Sequence, residues 1–171
     1  NLIVDEGDPL NNLLHSKSIA QLKSTGIFKN VKSEIKNTND QSKKIIDLTV
    51  EEKPTGEISA AAGVGTDGTS FSFGIRENNF GGKGISLKTN LIVSEEAVKG
   101  IFDYTHPNFA YSDRALTTSI ESTVTDKLSD AGYKSNLNSI GLGTRYEQYE
   151  DVFFSPSISI SNESLETNSD A

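Results

Sequence analysis

The chain has 171 residues, 34% of them hydrophobic, and it contains neither cysteine nor methionine. Its formal net charge of -8 argues against nucleic-acid binding, which needs a basic face to neutralise phosphates. No apolar run approaches the roughly 18 residues of a transmembrane helix, and the lack of cysteine excludes a disulfide framework. Because methionine is absent, we expect a processed product or an internal piece of a longer protein.

The first part of the chain, up to about Pro54, predicts a helix followed by two strands. Asp8 and Pro9 are helix-start signals, and leucines recur at helical spacing up to about Ser24. The residues from Phe28 begin an extended stretch, and residues 45–50 form the next strand. Since one helix and two strands are too little for a stable domain, we expect the rest of this domain to precede the chain.

From residue 56 onward the hydrophobic period changes to two, which is typical of half-buried strands. The polar positions between the apolar ones hold mostly serine, glycine, threonine and alanine, as on the lumen side of a membrane barrel. A soluble β-sandwich also alternates and remains an alternative. The seven predicted strands are residues 57–65, 70–76, 85–93, 98–105, 116–124, 139–146 and 157–161.

Aromatic residues gather around every second connection between these strands. Eight of the 13 tyrosines and phenylalanines lie in or beside residues 77–84, 106–113 and 147–151. Alternate connections of an antiparallel meander lie at one end of the sheet, and aromatic rings prefer the interface between membrane and water. The sequence therefore favours a barrel over a sandwich, with one rim carrying Phe80, Phe109, Tyr111 and Phe154.

No motif in the sequence predicts a site for catalysis, cofactor binding or metal binding. Residues 63–68, GVGTDG, match a dinucleotide fingerprint, but an alternating strand follows where that motif needs a helix. The chain has only two histidines, and its loop carboxylates fit no calcium-loop spacing. We therefore expect a protein that is not an enzyme and that binds no cofactor or metal.

Several segments resemble known sequence patterns. EGDPLN at residues 6–11, TGIF at 25–28 and LTVEEKPTGEIS at 48–59 resemble a POTRA (polypeptide-transport-associated) repeat. GVGTDGTSFSFGIRENNFGGKG, which ends at Gly84, resembles the opening hairpin of the bacterial surface-antigen barrel, and DYTHPNF at 103–109 is similar to a later turn of that barrel. Together they resemble the surface-antigen family of outer-membrane assembly factors.

The resemblance implies a mainly β fold with a small α+β part. Residues 1–53 would be the C-terminal part of the last POTRA repeat, in the periplasm. Residues 54–171 would be the N-terminal part of a transmembrane β-barrel in the bacterial outer membrane, namely the first seven antiparallel strands of sixteen. The aromatic rim would then face the periplasm.

The resemblance also implies a function, the folding and insertion of β-barrel proteins by strand templating at the first barrel strand. Its partners would be unfolded outer-membrane proteins as clients, outer-membrane lipids and assembly-complex lipoproteins. A secretion pore of the two-partner type, which also joins POTRA repeats to a barrel, and a soluble β-sandwich binding module remain alternatives. The predicted client-pairing edge consists of Glu57, Ile58, Ser59, Ala60, Ala61, Ala62, Gly63, Val64 and Gly65.

Overall fold

A computed structural model of the chain describes residues 6–40, 42–65, 68–149 and 151–168. The chain divides into two compact units, residues 1–55 and residues 56–171. The elements of the described residues are α1 (Asn12–Ser24), β1 (Phe28–Asn37), β2 (Lys44–Glu52), β3 (Gly56–Gly65), β4 (Gly68–Phe80), β5 (Ile85–Ser94), β6 (Ala97–His106), a short 3₁₀ turn (Phe109–Tyr111), β7 (Ala115–Lys127), β8 (Tyr133–Tyr149), β9 (Val152–Phe154) and β10 (Ser157–Thr167).

In the first unit, α1 packs against β1, which forms an antiparallel pair with β2. The Asn11 side chain caps α1 by accepting hydrogen bonds from the backbone N–H groups of Leu13 and Leu14. A hydrogen bond of 2.8 Å between His15 Nε2 and Ser33 Oγ ties the helix to β1. The predicted order of one helix and two strands is confirmed.

The second unit is an antiparallel meander in which the strands follow the order β3-β4-β5-β6-β7-β8-β10. These seven strands correspond to the seven strands predicted from the alternation of apolar and polar residues. The sequence did not predict β9, a three-residue strand that pairs with the end of β8. In a meander each strand lies beside its sequence neighbours, so β3 and β10 form the two edges of the sheet within the described residues.

The two faces of this sheet differ in chemistry and in exposure. Phe71, Phe73 and Ile75 of β4 lie on one face and are exposed, whereas Ser72 and Gly74 lie on the other face and are half-buried. The polar face borders an open hollow of about 530 Å³ that is lined by residues of β4 to β8 and of β10. The sheet therefore curls around its polar face, and the apolar face, hereafter the outward face, points away from the hollow.

This arrangement distinguishes a membrane barrel from a soluble β-sandwich, the two structures that the alternating pattern left open. A β-sandwich would bury its apolar rows between two packed sheets. Among the described residues of the second unit, the cross-strand row Ile58–Ile75–Thr89–Phe102–Ile120–Ile140–Ile160 instead lies on the outward face, with five isoleucines 46–87% exposed. An apolar face turned outward around a polar interior is the arrangement of a membrane barrel.

Candidate strand-pairing edge

Within the described residues, β3 pairs with β4 alone, and all ten residues of β3 are exposed. Its register runs from Gly56 opposite Glu77 to Gly65 opposite Gly68. In an antiparallel ladder, alternate residues direct their N–H and C=O groups away from the partner strand. About half of the backbone groups of β3 are therefore directed away from β4, where a further strand can pair with them.

The side chains of β3 add little to this edge beyond the backbone. Three consecutive alanines, at 60–62, precede Gly63 and Gly65. A Cβ at Gly63 would lie at an ordinary 3.6 Å from Ser70 Oγ, and a Cβ at Gly65 would meet nothing within 4 Å. Packing against β4 therefore does not require glycine at either position.

The tight position lies instead on the partner strand, at Gly74. A Cβ there would come within 2.5 Å of the Oγ of Ser59, its cross-strand neighbour, and within 3.2 Å of Asn90 Oδ1 on β5. Glu57 and Arg76 form an ion pair at 3.9 Å with both side chains largely exposed, a geometry that contributes little to stability. The side-chain contacts that hold β3 to β4 are thus few and weak.

The predicted aromatic rim lies at the end of the meander where β4, β6 and β8 finish, because alternate connections share one end of an antiparallel sheet. Phe80 ends β4, Phe109 and Tyr111 belong to the 3₁₀ turn after β6, and Phe154 ends β9. All four side chains are exposed. Phe154 meets Tyr146 edge-to-face with ring centroids 5.7 Å apart, and Phe109 meets His106 in the same way at 5.8 Å.

Sequence reasoning missed two cation–π contacts at this rim. The Arg114 guanidinium lies 5.0 Å from the ring centroid of Tyr146, and the Arg145 guanidinium lies 4.6 Å from that of Phe153. Each contact joins two chain segments, and the only signal in the sequence is the presence of arginine near the aromatic clusters. Such contacts contribute about 0.5–1 kcal/mol at exposed sites.

Two charged groups on the inner face, Lys99 and Glu121, pair with one another across strands. Lys99 Nζ lies 2.7 Å from Glu121 Oε1, which also accepts a hydrogen bond from Thr123 Oγ1. In the part of the chain that the structure describes, no group of three or more histidines and carboxylates is arranged to hold a metal ion. Within the same residues, no helix is long and apolar enough to cross a membrane.

Comparison with known proteins connects these features to one protein type. No family model matches the chain. The outer membrane protein assembly factor BamA of Buchnera aphidicola subsp. Acyrthosiphon pisum (strain APS) is 32% identical over 114 residues, which are 65% of this chain and 18% of that protein. The chain thus spans about a fifth of this curated relative.

A solved structure extends the likeness to nearly the whole chain. The crystal structure of BamA from Haemophilus ducreyi lacking POTRA domains 1-3 matches with a TM-score of 0.82 and 23% identity, over 97% of this chain and 32% of that chain. At this identity the match supports the fold alone. The fold is mainly β with one short helix and an antiparallel sheet, as in a fragment of the BamA barrel.

The two comparisons confirm the resemblance seen in the sequence motifs. BamA homologues are outer-membrane proteins with periplasmic POTRA domains, which is the location that the motifs predict. In sequence and in fold, the chain is therefore similar to a segment of a BamA-type outer-membrane protein assembly factor.

Proposed function

We propose that the chain is part of an insertase that folds β-barrel proteins into the bacterial outer membrane, and that β3 templates their strands. Residues 1–53 are the C-terminal part of a periplasmic POTRA repeat, and residues 54–171 supply the first seven strands of a sixteen-stranded barrel. The division of the chain into units at residues 55 and 56 supports this boundary. The short side chains of β3, the first strand of the sheet, are the observation that carries the templating step.

The outward face of the second unit supports a membrane location. Apolar side chains such as Phe73 and Ile120 are exposed there, while charged side chains such as Lys99 and Glu121 lie on the inner face. Surrounding lipid removes the cost of exposing apolar side chains to water, and a polar interior keeps the charges solvated. Outer-membrane lipids are therefore one partner of this face.

The templating step needs only backbone chemistry. An incoming client strand would exchange water or lipid for main-chain hydrogen bonds with β3, each worth about 0.5–1.5 kcal/mol net in water. In lipid the gain per bond is larger, because an unsatisfied backbone group there costs several kcal/mol. Client folding and lipid burial supply the free energy, so the step requires no enzyme chemistry and no cofactor.

The short side chains of β3 suit an edge that forms and breaks its pairing repeatedly. Ala60, Ala61 and Ala62 bury little surface against a partner strand, so most of the pairing energy comes from the backbone. A backbone-only edge accepts clients of differing sequence. The printed name of the curated relative, an assembly factor, favours assembly over secretion. Unfolded outer-membrane proteins are then the clients, and assembly-complex lipoproteins are the accessory partners.

Proline substitution tests the templating step. Ala61→Pro and Ala62→Pro each remove one backbone N–H, and because neighbouring residues of a strand point opposite ways, one of the two loses an outward donor. Ala61→Ser is the matched control because it retains the donor. With each variant as the sole copy, we expect one proline to lower the level of outer-membrane proteins while the variant itself stays folded and abundant. Normal assembly with both prolines would refute templating at β3.

A further inference from the structure

The outward face carries an uncharged polar patch at the far ends of β8 and β10, opposite the aromatic rim. Its members are Asn136, Asn138, Asn162 and Ser164, all of them exposed. They lie on the same face as Ile140 and Ile160, because residues two apart on a strand share a face. Along each of these two strands, the next outward residues after the isoleucine therefore carry amide or hydroxyl groups.

The patch is partly organised by hydrogen bonds along the outward face. Ser122 Oγ on β7 donates to Asn138 Oδ1 at 2.7 Å, and Asn138 Nδ2 donates to Asn136 Oδ1 at 2.9 Å. An asparagine side chain offers two donors and two acceptor lone pairs. These two bonds leave capacity on the amides for hydrogen bonds to a further partner.

The two cross-strand rows that contain the patch carry apolar side chains nearer to β5. Asn138 and Asn162 lie in one row with Leu91 of β5, through Gly100 and Ser122. The row of Asn136 and Ser164 contains Val93, Val98 and Val124. The apolar residues of the outward face form a band across the strands, hereafter the apolar band. Its border away from the aromatic rim is sloped and lies further from the rim on β5 than on β10.

The opposite border of the band slopes in the same direction. Glu77 of β4 lies in the outward row that continues through Leu87, Tyr104 and Thr118 to Leu142 and Ile158. The band thus ends at Ile75 on β4 but extends beyond that row on β8 and β10. Both borders therefore shift towards the aromatic rim between β4 and β10, as expected for an apolar band that crosses tilted strands.

The slope gives the tilt of the strands. The last outward apolar residue of β5, Val93, lies four residues beyond the row of Ile160, the last one of β10, and four strand steps separate β5 from β10. At about 3.4 Å per residue and about 4.8 Å per strand step, the border shifts about 14 Å over about 19 Å, which corresponds to an average tilt of about 35°. Val98 and Val124 share the row of Val93, so the whole shift lies between β7 and β8. Closed barrels tilt their strands by about 35–45°.

We propose that the polar patch is a contact site for the lipid headgroups of the outer leaflet, an inference that rests on the proposed barrel function. Asn138 lies two residues from Ile140, which at this tilt places it about 5–6 Å above the hydrocarbon border. The headgroup layer on each side of a bilayer is about 5–7 Å thick. Lipid hydrocarbon would leave the remaining donors and acceptors of the amides without partners, which is costly, whereas headgroups supply donors and acceptors.

Depth-dependent quenching tests this site in the full protein that contains the chain, reconstituted in phosphatidylcholine vesicles. The chain has no cysteine, so Asn138→Cys and Leu91→Cys each place one fluorophore in it, on one cross-strand row. We expect a headgroup-attached quencher to act more strongly than an acyl-chain quencher on position 138, and the reverse at position 91. Asn162→Cys repeats the measurement should Asn138→Cys fail to fold.

The outcomes separate failure of this inference from failure of the proposed function. If the acyl-chain quencher fails to reach position 91, the outward face does not contact lipid and the barrel proposal is wrong. Two results would refute the headgroup site alone, provided that the acyl-chain quencher acts on position 91. In the first, the acyl-chain quencher acts on positions 138 and 162 as strongly as on position 91. In the second, neither quencher acts on positions 138 and 162. The last result would assign the patch to water or to a protein partner.

Discussion

Ser59 and Gly74 lie opposite one another on β3 and β4, and Ser59 Oγ occupies the space that a Cβ at Gly74 would need. We predict that Gly74→Ala forces Ser59 from its rotamer and destabilises the β3–β4 pair by about 1 kcal/mol. Ser59→Ala removes the oxygen, so the double variant should regain most of the loss in a double-mutant cycle of urea unfolding. Additive effects of the two substitutions would contradict the contact.

A charge on the outward face should destabilise the protein more than the same charge on the inner face. Ile120 lies near the middle of the apolar band on β7, so Ile120→Lys should cost about 2–4 kcal/mol in lipid. Ser119→Lys, one residue away and facing the hollow, is the matched control and should cost far less. Unfolding of vesicle-embedded protein measures both, and equal costs would mean that the face does not contact lipid.

The aromatic rim predicts one shared depth for residues that are distant in sequence. The chain has no tryptophan, so Phe80→Trp, Phe109→Trp and Phe154→Trp each introduce one probe into it. All three should emit at similar wavelengths, and a headgroup-attached quencher should act on each because aromatic girdles lie at the membrane interface. The control Ile120→Trp should be quenched from the acyl chains instead. Three differing depths would exclude a common rim.

Asp40 in the turn between β1 and β2 provides a pH-dependent prediction. Its carboxylate accepts hydrogen bonds from the Ser42 hydroxyl at 2.7 Å and from the Ser42 backbone N–H at 3.0 Å, which hold the pKa of Asp40 below its ordinary value. A lowered pKa means that these bonds favour the folded state above the ordinary pKa and are lost as pH falls through the folded pKa. Ser42→Ala should raise the pKa towards the ordinary value in a carboxyl NMR titration. An unchanged pKa would show that the hydroxyl bond does not form.

The sequence predicted the seven meander strands because apolar and polar residues alternate along each of them. It predicted that one strand begins at residue 139 and that another ends at residue 161, whereas β8 begins at Tyr133 and β10 ends at Thr167. In these extensions the outward face carries asparagine and serine, while Leu137 and Leu165 lie on the inner face, so the outward apolar pattern that marked the strands does not continue. The polar patch could not be predicted for the same reason.

Other features depend on contacts that no local pattern encodes. A strand as short as β9 contains no measurable period, and its pairing with β8 depends on a turn at Asp151, whose φ of 62° is left-handed. The cation–π contact of Arg114 with Tyr146 joins residues that are distant in sequence. The position of β3 as the first strand of the meander, in contrast, follows from the sequence, because the alternating pattern begins there.

Disulfide crosslinking between β3 and a stalled client strand tests strand templating most directly. Single cysteines placed in turn at residues 57–65 of the full protein are paired with single cysteines along the terminal strand of a client arrested during assembly. The account predicts a ladder in which each step along β3 shifts the best-crosslinked client residue by one, as backbone pairing requires. Crosslinks without register, or crosslinks confined to other strands, would contradict templating at this edge.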